Sequence, residues 1–157
     1  PGITGLSVTW NPAGTDIAIA SSSTPYIQVY PWTTGFGTKY TNPVSGLTGA
    51  GNGVAFSPAG TELAVATATT PYLYVYPWTS GTGFGARYAN MPTAQRPAGS
   101  GNGVAWRGSG GELAVANATS PGIQVYVWSA GDGGFLTTFA DPASTVTAGN
   151  GVAWSPI

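Results

Sequence analysis

One hexapeptide constrains this chain more than any other feature. Gly51-Asn52-Gly53-Val54-Ala55-Phe56 returns as Gly101-Asn102-Gly103-Val104-Ala105-Trp106 and again as Gly149-Asn150-Gly151-Val152-Ala153-Trp154, and Gly5-Leu6-Ser7-Val8-Thr9-Trp10 is a divergent first copy. The copies are spaced by 46 residues (Val8 to Val54), 50 (Val54 to Val104) and 48 (Val104 to Val152). A period in this range belongs to repeat architectures in which each unit is one supersecondary element that buries its faces against its neighbours. The chain of 157 residues is therefore three such units and the opening of a fourth, rather than one domain with a single private core.

Each unit reads as four short strands. In the first, Leu6 to Trp10 is followed by a Pro-Ala-Gly turn, then by Asp16 to Ala20, in which large and small side chains alternate with the period of a strand. A polar turn leads to the β-branched and aromatic run Tyr26 to Tyr30, then Pro31-Trp32, and a weaker strand spans Phe36 to Tyr40. The second unit repeats this order at Val54–Phe56, Glu62–Ala66, Tyr72–Tyr76 with Pro77-Trp78, and Phe84–Tyr88. The third does so at Val104–Trp106, Glu112–Ala116, Ile123–Tyr126 with Val127-Trp128, and Phe135–Phe139. Glycine and proline are too frequent for an apolar helical stripe to run a dozen residues, so the chain is all-β. Four-stranded antiparallel sheets at this spacing fit β-propeller blades: blade 1 over 5–50, blade 2 over 51–100, blade 3 over 101–148, and an extra inner strand over 149–157. Interior blades are covered on both faces. Leu63 and Val65 opposing Ala64 and Ala66 supply bulk on one face and hollows on the other.

The order Val-x-Trp/Phe-Ser-Pro-x-Gly, Leu-Ala-Val-Ala, Ile-x-Val-Tyr resembles the WD-repeat (WD40) propeller family across all three units. The tighter pattern at Pro25–Trp32 with Gly35–Tyr40, and at Pro71–Trp78 with Gly83–Tyr88, resembles repeats of bacteriophage and environmental viral structural proteins. The chain departs from the WD pattern at informative places. Tyr30, Tyr76 and Tyr126 stand where the family has its namesake Trp, and Pro31, Pro77 and Val127 where it has Asp. With no histidine anywhere, the family's Asp-His-Ser/Thr-Trp hydrogen-bond network cannot form, so the blade shape is expected without its usual polar staple.

Three blades do not close a ring, since propellers have at least about four. The apolar end faces would then stay wet, and such patches signal association. The expectation is a homo-oligomer closing the ring, a six-bladed homodimer first and a nine-bladed homotrimer second. Three four-stranded blades need one inner strand each, yet the inner-strand motif occurs four times. Either the first copy is displaced, or 149–157 crosses into a partner ring as a strand-exchange clasp.

The composition excludes several chemistries. Only 6% of residues are charged, and Lys39, Arg87, Arg96 and Arg107 are scattered, which argues against nucleic acid. No apolar run is long enough for a membrane helix. There is no cysteine or histidine, and Asp16, Glu62 and Glu112 fall one per blade, so a ring of cation-binding carboxylates is weighed against solvated turn residues, which are favoured. No enzyme activity, cofactor or metal is expected. The candidate ligand-binding residues are Asn52, Asn102 and Asn150, near the axis of a ring, and Trp32, Trp78 and Trp128, as sugar-stacking platforms, each weighed against a turn or packing role. Lys39 and Arg87 are read as blunting the outer edge, and Asn117-Ala118-Thr119 is a sequon by pattern alone. The function expected is a self-assembling structural or binding propeller, such as a virion component. The alternatives are a carbohydrate-binding propeller, with glycans or another protein as partner, and an engineered or excised repeat module without a ligand.

Overall fold

The computed structural model describes residues 3–144 and 146–155. Among the described residues eleven strands form three antiparallel sheets. Blade 1 is β1 (Gly5–Trp10), β2 (Asp16–Ser21) and β3 (Ile27–Pro31). Blade 2 is β4 (Gly51–Phe56), β5 (Glu62–Thr67), β6 (Leu73–Thr79) and β7 (Gly83–Phe84). Blade 3 is β8 (Gly101–Trp106), β9 (Glu112–Asn117), β10 (Ile123–Ser129) and β11 (Gly134–Thr138). Each sheet is a meander in chain order, and the inner strands β1, β4 and β8 lie side by side. Among the described residues the one helical element is a 3-10 turn at Thr93–Gln95, and no helix is long and apolar enough to cross a membrane.

The expected fourth strand is full in one blade only, and one residue accounts for the difference. In blade 3, Tyr126 and Val127 pair with Thr138 and Thr137, and β11 runs for five residues. Blades 1 and 2 have Pro31 and Pro77 in place of Val127. Proline has no N–H to give the ladder, so blade 2 pairs only Trp78 with Phe84 and Thr79 with Gly83, and blade 1 keeps a single Trp32–Phe36 bridge. The chain passes instead over the proline ring. A Cβ at Gly37 would lie 2.7 Å from Pro31 Cγ, and one at Gly85 would lie 2.9 Å from Pro77 Cβ. Where Val127 replaces proline, Leu136 replaces that glycine.

The blades pack bulk into hollow. One core joins Ala18, Ala20, Ile27 and Val29 of blade 1 to Val54, Phe56, Leu63, Val65, Tyr76 and Trp78 of blade 2. The next repeats the pattern, setting Ala64, Ala66, Leu73 and Val75 against Val104, Trp106, Leu113, Val115, Tyr126 and Trp128. Each blade thus has a bulky leading face and a shallow trailing face, and the alternation within β2, β5 and β9 separates the two. The linkers add one plug to each core, Leu47 in the first and Met91 in the second. Their Pro- and Gly-rich surroundings hid these plugs in the sequence.

Candidate functional site

Two of the recurring asparagines, Asn52 and Asn102, bond to the next inner strand. A register shift between Gly51 and Gly53, and its counterpart between Gly101 and Gly103, makes Asn52 and Asn102 the extra residues of β-bulges. A bulge re-aims its side chain, here along the ring. Asn52 Nδ2 donates to Gly101 O at 2.9 Å, and Asn102 Nδ2 donates to Gly149 O at 2.9 Å. The glycines let the backbones meet, because a Cβ at Gly53 would lie 2.9 Å from Gly103 Cα. Asn52 and Asn102 are therefore staples between neighbouring inner strands. Asn150 is exposed.

The three candidate tryptophans lie in aromatic clusters. Trp78 packs edge-on with Tyr40, Phe56 and Phe84, and Trp128 does so with Tyr88, Trp106 and Phe135. Both are buried, so neither offers a ring face to a sugar. Trp32 is half-buried against Trp10 and Phe36, because no earlier blade covers it.

The carboxylates are not solvated turn residues, as Asp16 and Glu62 are buried. Asp16 accepts hydrogen bonds from Asn11 Nδ2 at 2.9 Å, Tyr40 Oη at 2.8 Å and Trp78 Nε1 of the next blade at 3.4 Å. An Asp–Tyr–Trp network therefore staples blade 1 to blade 2, replacing the histidine network whose absence the sequence implied. At the next junction Glu62 Oε2 accepts from Ser57 Oγ at 2.7 Å and Thr61 Oγ1 at 2.8 Å, and buried Trp128 Nε1 has no partner. Burial raises the pKa of Tyr40 and of Tyr88, and in each case the neighbouring carboxylate, Asp16 or Glu62, adds to the rise. Glu112 pairs with Arg107 at 2.8 Å on the rim. Among the described residues no three acidic side chains converge as a metal would require.

The cations have local partners. Arg87 lies 4.7 Å over the Tyr74 ring, and Lys39 Nζ donates to Asn42 Oδ1. The most distinctive surfaces are the two ends of the arc. On the leading face of blade 1, Val8 is 60% exposed, whereas Val54 and Val104 at the equivalent positions are 5% and 7%. Leu6, Trp10 and Phe36 are exposed with it. A groove of about 410 Å³ is lined by Ile3, Gly5, Ile19, Gln28, Tyr30 and Phe36. At the other end, a groove of about 260 Å³ lies between Val125, Phe139 and Trp154. There residues 149–155 lie along β8, with no ladder partner among the described residues. Trp154 Nε1 donates to Ala105 O at 3.1 Å, as Trp106 Nε1 does to Ala55 O. Residues 156 and 157 of the expected clasp lie outside the described residues.

No family model matches the sequence, and no curated protein matches it. Solved structures match the fold. The WD40 repeats of RRP9 superpose with a TM-score of 0.65 at 15% identity, covering 92% of this chain and 41% of that one. The β-propeller domain of Myceliophteria thermophila Cps50 (Swd1) gives 0.62 at 14%, covering 97% and 47%. Kuenenia stuttgartiensis hydrazine synthase gives 0.66 at 14%, covering 94% and 38%. The chain has the propeller-like fold of these neighbours and spans less than half of their length. Since they include both WD40 repeat domains and hydrazine synthase, the fold alone does not assign an activity.

Proposed function

We propose that this chain is a non-catalytic binding and scaffold module that completes its propeller by associating with a second copy, giving six blades. The observation that carries this reading is the complementarity of the two ends. The leading face of blade 1, with Val8, Trp10, Ile17, Ile19 and Trp32, has the same pattern as the two leading faces that seat in hollows within the chain. The trailing face of blade 3, with Ala114, Ala116, Ile123 and Val125, has the same pattern as the two hollows that receive them. A contact between unlike faces generates a ring when the rotation closes, and a nine-bladed trimer is the second closure. The carboxylates favour a non-catalytic role, because Asp16 and Glu62 are buried and bonded to scaffold donors. A lectin role loses its platforms with Trp78 and Trp128 buried, and a virion role rests on the sequence resemblance alone. Class averages from electron microscopy test the proposal. Closed six-bladed discs are expected, whereas isolated three-bladed arcs would contradict it.

A further inference from the structure

The seat beside β8 on the inner circle is already taken. Three observations place residues 149–155 there as an innermost strand: the Asn102-to-Gly149 bond, the Trp154-to-Ala105 bond, and Gly151 Cα 3.0 Å from where a Cβ on Gly103 would lie. Each has its counterpart one blade earlier, between β4 and β8. The sequence is also that of β4 and β8, Gly-Asn-Gly-Val-Ala followed by an aromatic residue. Among the described residues this strand has no outer neighbour of the Leu-Ala-Val-Ala type, such as β4 finds in β5 and β8 in β9.

If a second copy docks its blade 1 on blade 3, two strands compete for one seat, residues 149–155 and the incoming β1. The better occupant is decided by what lies beyond it. Asn52 and Asn102 each donate to the glycine carbonyl of the next inner strand. Asn150 can repeat this toward Gly51 of the second copy, whereas β1 carries Leu6 at the bulge, and leucine has no donor. Gly151 has open space where a Cβ would point, on the side where β4 of the second copy would arrive; at Gly53 and Gly103 that space is filled by the neighbouring glycine. In β1 the residue at this position is Ser7.

We infer that residues 149–155 act as a donated strand, taking the innermost place in the first blade of a second copy and releasing that copy's β1. The inference rests on the self-association proposed above and specifies its mechanism. The register follows from the repeats. Val54 faces Val65 and Val104 faces Val115, so Val152 faces Ile19 of the second copy, with Trp154 opposite Ile17. Backbone hydrogen bonds lost by β1 are regained by the donated strand, so the exchange is nearly neutral in ladder bonds. The exchange gives up the bond that Ser7 Oγ accepts from Val54 N at 3.4 Å, and the Asn150 staple, of a kind that measures 2.9 Å at the two earlier positions, replaces it and tips the balance.

The absence of native cysteine makes a direct test available. Val152→Cys and Ile19→Cys are placed in separate chains, mixed through partial denaturation, and oxidised. Directly opposed residues in antiparallel strands lie within disulfide range. The expected result is a disulfide-linked heterodimer, with native mass unchanged before oxidation. A second, intrachain pair, Val8→Cys with Ile19→Cys, reports β1 in its own blade. If a dimer persists by native mass while only the intrachain pair closes, strand exchange is overturned and self-association stands. If the chain is monomeric at all concentrations, both fall. Asn150→Ala provides a milder probe and should weaken the dimer about thirtyfold, the effect of one net hydrogen bond at each of its two junctions; an unchanged dissociation constant would remove the proposed reason for exchange.

Discussion

The two junctions within the arc are built on the same apolar plan and completed differently. In both, the bulky leading face of one blade seats in the alanine hollows of the blade before, with a tryptophan held edge-on among three aromatic rings. At the first, Trp78 donates to Asp16, which also accepts from Tyr40. At the second, Glu62 accepts from Ser57 and Thr61 and buried Trp128 Nε1 is unpaired. One methylene separates the two carboxylates. The apolar fit is therefore the constant feature, and the polar staple is added to it. This ordering is expected, because the net contribution of one hydrogen bond is about 1 kcal/mol, whereas burying one large side chain contributes about 1.5–3 kcal/mol.

The largest effects should accordingly be alike at both junctions. Trp78→Ala and Trp128→Ala should each destabilise the fold by about 3–5 kcal/mol, measured by chemical denaturation. A cost below about 1 kcal/mol at either would show that the edge-on cluster is not a core. The carboxylates should then separate the junctions. Asp16→Ala leaves the buried indole of Trp78 and the hydroxyl of Tyr40 without their acceptor, and at about 1–3 kcal/mol for a buried donor it should cost clearly more than Glu62→Ala. Equal costs would mean that the Asp16 network adds nothing.

A pH titration compares two of the buried tyrosines, Tyr76 and Tyr126. Tyr76 donates to Ser45 O at 2.7 Å, and Tyr126 Oη has no partner, yet burial raises both pKa values far above the ordinary 10. Below about pH 10 both states keep the phenolic proton and stability is unaffected. Above it the unfolded chain loses protons that the folded chain retains, so stability should fall by up to about 1.4 kcal/mol per pH unit for each tyrosine. Denaturation midpoints that stay flat between pH 10 and pH 11 would show that both hydroxyls reach water. The smallest effect expected is a gain. Glu62→Asp shortens the acid to match Asp16 and brings an acceptor within reach of Trp128, adding about 1 kcal/mol; a loss of stability would show that the bonds to Ser57 and Thr61 matter more.

Much of the fold was legible because the signal was stated three times. The alternation in Leu63-Ala64-Val65-Ala66 assigned the strand and both faces, and the structure packs them as the pattern implied. The outer strand was legible only in blade 3, because the effect of Pro31 and Pro77 depends on which ladder bond a missing N–H removes. The Asp16 network was not legible, since Tyr40 and Trp78 lie 24 and 62 residues from their acceptor. Resemblance to a known family misled here, as it directed attention to the missing histidine rather than to a tyrosine in its place. The asparagines were noticed for their recurrence, but their bonds to the next inner strand were not legible, because a bulge turns the side chain and no local pattern announces the bulge.

The complementarity of the end faces is tested most directly by native mass, measured by light scattering over a dilution series from micromolar to nanomolar. A species of twice the 15.7 kDa chain, falling to one chain only on dilution, is the predicted result. A mass of one chain at every concentration, with the exposed face around Val8 and Trp10 causing no association, would contradict it.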